Sequence, residues 1–393
     1  MPPTSRINLA FALDLTIREV RTNPMHEPRM FVSAVATLCC AAPLYSQTCN
    51  DLGVPVNGHP NYQERAVHVL TNAVRIAPQQ YRDTYLASAP SILTPAIYPA
   101  VGPLNWSPTL NQAARFHAVG MATIPGCTFS HTSCDGTSWS TRIRSFYTDS
   151  QNVAENIAAG QTTPLNVVNA WLLDVIASGP APDGSPGDGH RRNIMNGNYN
   201  AVGHGYATGP NTYGRYWVQD FGGVIPTSLR CRPIPSASHI LQGSTVSFLA
   251  NYYDAANQPQ QSAHVVINGI SSPMSVHLGT AARGTFRFQS PSTGACRSYY
   301  FVFREASGSL TRYPSRGELR TTTEGGCTES YVAGEPTPCE ADFDGSGEIV
   351  VPDIFAFLAA WFSGDAAANF NGVNGITVED IFAFLSEWFA GCP

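Results

Sequence analysis

Along residues 60 to 224 the apolar positions fall at helical spacing three times and then change to strand-like runs. In ERAVHVLTNAVRIA, Val67, Leu70, Val74 and Ala77 share one helix face. SPTLNQAARFHAVGMA opens with Ser107 as N-cap and Pro108 at the first helical position, where a missing N–H does no harm. TTPLNVVNAWLLDVIAS opens the same way with Thr163 and Pro164, and carries Leu165, Val168, Trp171 and Leu172 on one face. YNAVGHGYATGPNTYGRYWVQDFGG then gives two short strands around a Pro/Asn/Gly turn. Helices flanking an antiparallel sheet predict an α+β domain.

From Cys231 to Gly334 the pattern is β throughout. STVSFLANYYD, AHVVING, GTFRFQS and RSYYFVFRE are separated by Gly, Pro, Ser and Asn, the spacing of an all-β, Ig-like sandwich over 231–334. His239, His264 and His277 are scattered there, form no catalytic cluster, and read as structural or superficial. From 339 to 393 the chain repeats itself: DFDGSGEIVVPDIFAFLAAWF starts at Asp342 and NFNGVNGITVEDIFAFLSEWF at Asn369, a period of 27.

The amino terminus adds a leader. Arg29 precedes an apolar stretch from Met30 to about Leu44, with small residues near Ser46, which reads as a signal peptide within residues 1–46; Met25 or Met30 is a better start for it than Met1. No other apolar run approaches the ~20 residues of a spanning helix, so export without a membrane span is expected. Eight of the ten cysteines lie outside that leader, an even number for an oxidising compartment. Local economy pairs Cys127 with Cys134, Cys296 with Cys327, Cys339 with Cys392, and Cys49 with Cys231.

Composition removes several functions. The apolar fraction of 43% suits globular folding, and none of the 22 basic residues is lysine, which excludes a P-loop or a Schiff base. A formal charge of −6 gives no reason to expect nucleic acid. HExxH and GxSxG are both absent from the sequence, so zincin and α/β-hydrolase mechanisms lack support.

The acidic repeat has its own chemistry. Asp342, Asp344 and Ser346 alternate, Gly347 follows, Glu348 offers a carbonyl, and Asp353 closes a twelve-residue loop; hard oxygen ligands at this spacing suit Ca²⁺. The second copy keeps Asn369, Asn371 and Asp380 but has Val373 at a ligand position and Asn374 for the glycine, so weak or absent Ca²⁺ binding is expected there. The duplicated loop and helix, ended by cysteines, resemble a dockerin. The resemblance implies a small all-α calcium-loop helix pair at 339–393 and a cohesin-like partner or surface assembly.

LNWSPTLNQAARFHAVGM, FSHTSCDGTSW, NVAENIAAG, VVNAWLLD, GHRRNIM and YWVQDFGG, in that order, resemble the bacterial form of the CAP superfamily of SCP and pathogenesis-related proteins. The resemblance covers residues 60–224 and implies an α-β-α sandwich with two histidines and two acids facing a central cleft. Carried over, these are His131, Glu155 and His190, with Asp174, one methylene shorter than the family's glutamate, as the fourth. Two neutral imidazoles can hold a divalent metal such as Zn²⁺, and a carboxylate can orient a ring N–H or polarise bound water. Gaps of 24 and 35 residues are no metal motif, so only the fold can join these groups. His117 and His204 read as core histidines, Asn156 as a brace for the Glu155 loop, and Arg191 and Arg192 as solvated surface.

Three functions stay open. The first is a secreted module binding a small, lipid-like or metal-dependent ligand, tethered by its tail. The second is a metal-dependent hydrolase with Glu155 as general base, and the third a structural or adhesive surface protein.

Overall fold

Asn61 starts the first helix of this computed structural model by accepting a hydrogen bond from Glu64 N (3.0 Å), while the Glu64 carboxylate accepts from Asn61 N (2.9 Å). That reciprocal capping box satisfies two orphan donors. The structure describes residues 51–231, 233–334, 341, 343, 349–373 and 375–390. The leader at 1–46 lies outside the described residues, as do Cys49, Cys339 and Cys392 with their expected bridges.

In chain order the first part comprises α1 (Tyr62–Ile76), α2 (Pro78–Tyr85), β1 (Asn105–Trp106), α3 (Pro108–Thr123), α4 (Trp139–Phe146), β2 (Val153–Ala159), α5 (Pro164–Leu173), β3 (Val175–Ile176), β4 (Gly179–Pro180), α6 (Gly189–Met195), β5 (Ala201–Thr208) and β6 (Arg215–Gly222). Ser107 and Thr163 cap α3 and α5 through their side chains, as their positions ahead of a proline predict. The sheet order is β1-β5-β6-β2, with only β1–β5 parallel. On one face Ala114, Ala118 and Met121 of α3 pack on Ile157 and Val218; on the other, Val67 and Val74 of α1 and Val168 and Trp171 of α5 pack on Val202 and Phe221.

Two glycines let α3 lie on β5. A Cβ on Gly203 would stand 2.0 Å from Asn111 N, and one on Gly205 2.4 Å from the Ala114 carbonyl carbon, both backbone atoms of the helix. Gly203→Ala is therefore expected to lose about 3 kcal/mol or more, the upper end of overpacking, read by urea denaturation; a loss under about 1 kcal/mol would mean that the helix rides higher than described.

Ten strands follow: β7 (Ser236–Gln242), β8 (Thr245–Tyr253), β9 (Ser262–Ile267), β10 (Ile270–Pro273), β11 (Ser275–Gly279), β12 (Arg283–Pro291), β13 (Ser298–Arg304), β14 (Leu310–Tyr313), β15 (Glu318–Arg320) and β16 (Tyr331–Val332). They form two antiparallel sheets, β11-β12-β8-β7 and β10-β9-β13-β15-β16, with β14 also on β13. Alternate residues Phe248, Ala250 and Tyr252 of β8 share a core with Tyr299, Phe301 and Phe303 of β13, the period of two expected of half-buried strands.

The boundary near 231 does not separate two cores. Leu249, Ile240 and Leu278, from the β7–β8–β12–β11 sheet, join the α1 cluster. Asn72 Nδ2 donates to Ser236 Oγ (2.9 Å), and Asn251 Nδ2 donates to Ser236 Oγ (2.9 Å) and to Val69 O (2.8 Å). Helix α1 is buried along nearly its whole length, polar residues included, because it is covered from both sides.

In the tail, α7 (Val351–Ser363) and α8 (Val378–Ala390) pair around Phe357 and Phe384, whose rings stack at 4.2 Å. The repeat is visible in the bonding: Trp361 Nε1 donates to Thr377 O (2.8 Å) and Trp388 Nε1 to Val350 O (3.3 Å). Each partner is displaced by one period.

Candidate functional site

The loop bearing His131 is closed at both ends by the Cys127–Cys134 disulfide; Cys296–Cys327 is the other expected bridge found among the described residues. His131 Nδ1 lies 2.7 Å from Glu155 Oε1, and the Arg142 guanidinium of α4 bonds Glu155 Oε2. Arg142 Nη1 also donates to His131 O (3.1 Å) and Ser133 Oγ (2.8 Å). Arg142 and Glu155 are buried, while the His131 side chain is 46% exposed. One buried cation thus fixes both the loop and the acid.

The second pair is built at a helix end. Asp174 caps α5 in the left-handed region (φ 45°), an uncommon conformation for a non-glycine residue. Its Oδ1 lies 2.5 Å from His190 Nδ1 and its Oδ2 accepts from Arg191 N (3.1 Å). The His190 side chain is 34% exposed. Each histidine therefore gives Nδ1–H to a buried carboxylate, which sets the tautomer and leaves Nε2 as the outward nitrogen.

Amides join the pairs. Asn156 Nδ2 donates to His190 O (3.2 Å) and Gln219 Oε1 (3.0 Å), and Asn193 Nδ2 donates to Glu155 O (3.3 Å) and Asn156 Oδ1 (2.9 Å). Asn156 braces α6 rather than the Glu155 loop. Beside them lies a cavity of about 290 Å³ lined by Asp174, His190, Trp171 and Ile157, with Phe129, two residues before His131, on its wall. A second cavity, about 360 Å³, lies between α3 and α4 and is lined by Phe116, His117 and Phe146 but none of the four predicted cleft residues. Chemistry rather than volume favours the first.

The PAPDGSPGD stretch that runs from β4 into α6 is tightly anchored. Asp183 accepts from Leu93 N (3.1 Å) and Thr94 N (2.7 Å) and pairs with Arg191 (3.0 Å). Asp188 accepts from Tyr98 OH and Gly184 N (2.6 Å). Arg191 is fully buried, so the expectation of solvated surface fails there: its guanidinium also satisfies Leu172 O and Ala181 O. Arg192 is exposed and pairs with Asp188 (2.6 Å).

Sequence reasoning missed Arg142 and Asp220. Asp220 lies opposite Glu155 in the β2–β6 register and is fully buried. Burial, with the Glu155 charge adding, holds its carboxyl well above the usual range. His117 is the buried histidine expected, with Nε2 on Ser130 O (2.8 Å) and its ring pushed down to about 4 by burial. His204 is buried too, with neither ring nitrogen partnered.

This part of the chain has relatives. Residues 70–221 match the model of the CAP family, the cysteine-rich secretory protein family. Those residues form a CAP domain. The match covers 121 residues at 33% identity with the uncharacterized protein YkwD of Bacillus subtilis (strain 168), 31% of this chain and 40% of that protein; the chain thus spans about two fifths of the curated relative's length. Two solved structures are similar in part: an extracellular protein containing a SCP domain from Bacillus anthracis (20% identity, 40% of this chain, 39% of that one, TM-score 0.27) and an outer surface protein from Borrelia burgdorferi (23%, 32% and 80%, TM-score 0.25).

In the CAP domain the donors fall short of a full zinc site. Among the described residues no three His, Cys, Asp or Glu side chains form a group able to hold a metal ion, and catalytic zinc takes three protein ligands. His131 and His190 supply two outward nitrogens at most. Glu155 is buried with both oxygens engaged, on His131 and Arg142.

In the tail, Asp342, Asp344, Ser346 and Glu348 lie outside the described residues. Asp353 is buried and accepts from Val350 N (2.8 Å). Asp380 accepts from Asn371 N (2.9 Å) and Thr377 N (2.7 Å), which hold its carboxyl below the usual range. Asn371 Oδ1 accepts from Val373 N (2.8 Å), and Asn369 Oδ1 is buried without a partner. Phe355, Phe362, Phe382 and Phe389 are all at least two-thirds exposed.

Proposed function

We propose that this is an exported protein whose CAP cleft binds a small ligand and whose carboxyl-terminal repeat tethers it to a protein assembly. One observation carries the first half: two partly exposed imidazoles are each oriented by their own buried carboxylate, and one of them, His190, lines a cavity of ligand size whose wall also holds Phe129 of the His131 loop. Such preorganised nitrogens bind without paying to be ordered. A divalent ion such as Zn²⁺ would be held there only with donor atoms supplied by the ligand.

Export is supported by the apolar stretch Met30–Leu44 and by two disulfides, which persist in oxidising compartments. No helix among the described residues is long and apolar enough to cross a membrane. The tether reading rests on the Ca²⁺-ligand spacing from Asp342 to Asp353 and on the exposed phenylalanines, which occupy equivalent places in both repeats. Apolar area of that kind marks protein contact sites, and a cohesin-like protein fits it. The strands between 231 and 334, in an Ig-like arrangement, act as the spacer.

The test is a fragment screen on the secreted chain, followed by the ring signals of His131 and His190 in NMR spectra. Ligands that shift both rings, and lose binding in His190→Ala, are expected; hits that all map elsewhere would sink the cleft reading. In the same samples Ca²⁺ should raise the helical signal, with Asp342→Ala abolishing the rise. An unchanged spectrum removes the calcium tether.

A further inference from the structure

One wall of the His190 cavity is built by the β3–β4 hairpin and Gly187, and it limits what can bind. β3 and β4 form a hairpin that presents Val175 and Ile176, 70% and 41% exposed, beside Phe129, Ile157 and Trp171. The hairpin is a built feature: Ala181 N, just past it, donates back to Asp174 O (3.1 Å), the stretch that follows is fixed by Asp183 and Asp188, and a Cβ on Gly187 would stand 3.2 Å from Ile176 Cγ2. Apolar side chains exposed on so well-anchored a support are a binding surface in want of an occupant.

The polar lining is one-sided. Asp174 can only accept, and the Nδ1–H tautomer of His190 that its bond to Asp174 selects carries a lone pair at Nε2. Gln161 can present either end of its amide. No arginine lines the cavity, because the Arg191 guanidinium turns away to Leu172 O, Ala181 O and Asp183. An anion would meet a carboxylate and no cation there; a hydrogen-bond donor carrying positive charge meets complementary partners.

Size and the strand edge narrow the occupant further. About 290 Å³ is at the lower end of small-ligand clefts, enough for one ring or a short alkyl chain. An extended peptide cannot add to the β2 edge, because Asn193 Nδ2 takes Glu155 O (3.3 Å) and Trp171 Nε1 takes Ile157 O (3.0 Å).

We propose that this cleft takes a small organic cation, a primary ammonium on an apolar body, with the ammonium on His190 Nε2, the Asp174 carboxylate supplying negative charge from behind the ring, and the body against Val175, Ile176 and Phe129. The assignment rests on the cleft being the ligand site.

The experiment compares three probes of one shape on the full secreted chain near neutral pH: 2-phenylethylammonium, 2-phenylethanol and 3-phenylpropanoate, titrated by NMR with the His190 ring as reporter. The ammonium should bind at least about tenfold tighter than the alcohol, with the carboxylate weakest. Ile176→Ser, at an exposed position, should weaken the ammonium about fivefold without lowering the melting temperature. Equal binding of all three probes, or preference for the carboxylate through an imidazolium at His190, would overturn the cation assignment yet leave the cleft a ligand site. If none of the three moves the His190 ring while other screened fragments do, the ligand class is wrong; if Ile176→Ser binds unchanged, the hairpin is not the selector.

Discussion

Arg142→Met is expected to destabilise the protein by about 3–5 kcal/mol and to detach His131 from Glu155. Arg142 is the cation that bonds the Glu155 carboxylate, and both are buried; Asp220, across the strand pair, brings a second acid and no charge to offset the first. Removing one partner of a buried pair leaves the other charge desolvated, which costs about that much. The same change withdraws the donors to His131 O and Ser133 Oγ, so the loop loses its anchor. Lysine at 142 should rescue little, because one ammonium cannot serve three acceptors in a planar fork. Urea denaturation at neutral pH measures the loss. In a Glu155→Gln background the same replacement should cost far less, the difference being the coupling of the pair. A single-mutant loss below about 1 kcal/mol would show that Glu155 sheds its charge or finds water.

The second large effect is acid lability. Burial pushes His68, His117 and His277 down to about 4 and His239 to about 3, and His204 well below its usual range. In the unfolded chain these rings titrate near 6.5. As pH falls below that value the unfolded state takes up protons that the folded state refuses, so stability is full above about 6.5 and declines down to about 4. Asp220 acts in the opposite sense, since a raised carboxyl keeps its proton in the fold while the unfolded chain releases it above about 3.9. Five rings against one carboxyl make the acid limb dominate. Two of the rings bridge the CAP domain and the sheet beyond it: His239 stacks on Tyr62 at 4.5 Å, and His277 meets Tyr85 OH at 2.9 Å. Denaturation midpoints at a series of pH values should fall steeply between about 6.5 and 4, with a shallower slope in His239→Gln; a flat profile would mean that these rings are hydrated.

The local signals in the sequence were enough for three helices of the CAP domain, α1, α3 and α5. Ser107, Thr163 and their prolines act within one turn, so the caps could be read directly. His131, Glu155, Asp174 and His190 came from ordered motifs, and the fold brings them together as two pairs. Arg142 could not be told from Arg144 in STRIRSF, since only the packing of α4 on β2 decides which faces Glu155. Asp220 needed the β2–β6 register, a non-local fact. Arg191 read as surface because nothing in GHRRNIM announces that the carboxylate of Asp183 buries it. The polar face of α1 likewise gave no sign that a second sheet would cover it, because its partners Ser236 and Asn251 lie more than 150 residues away.

That burial makes the amino-terminal domain a poor candidate for transplantation. Excised just after residue 230, it would leave Asn72 without Ser236 and the Val69 carbonyl without Asn251, and would turn a core helix into a wet one. A portable version has to carry the first two strands of its neighbour, or be redesigned along α1.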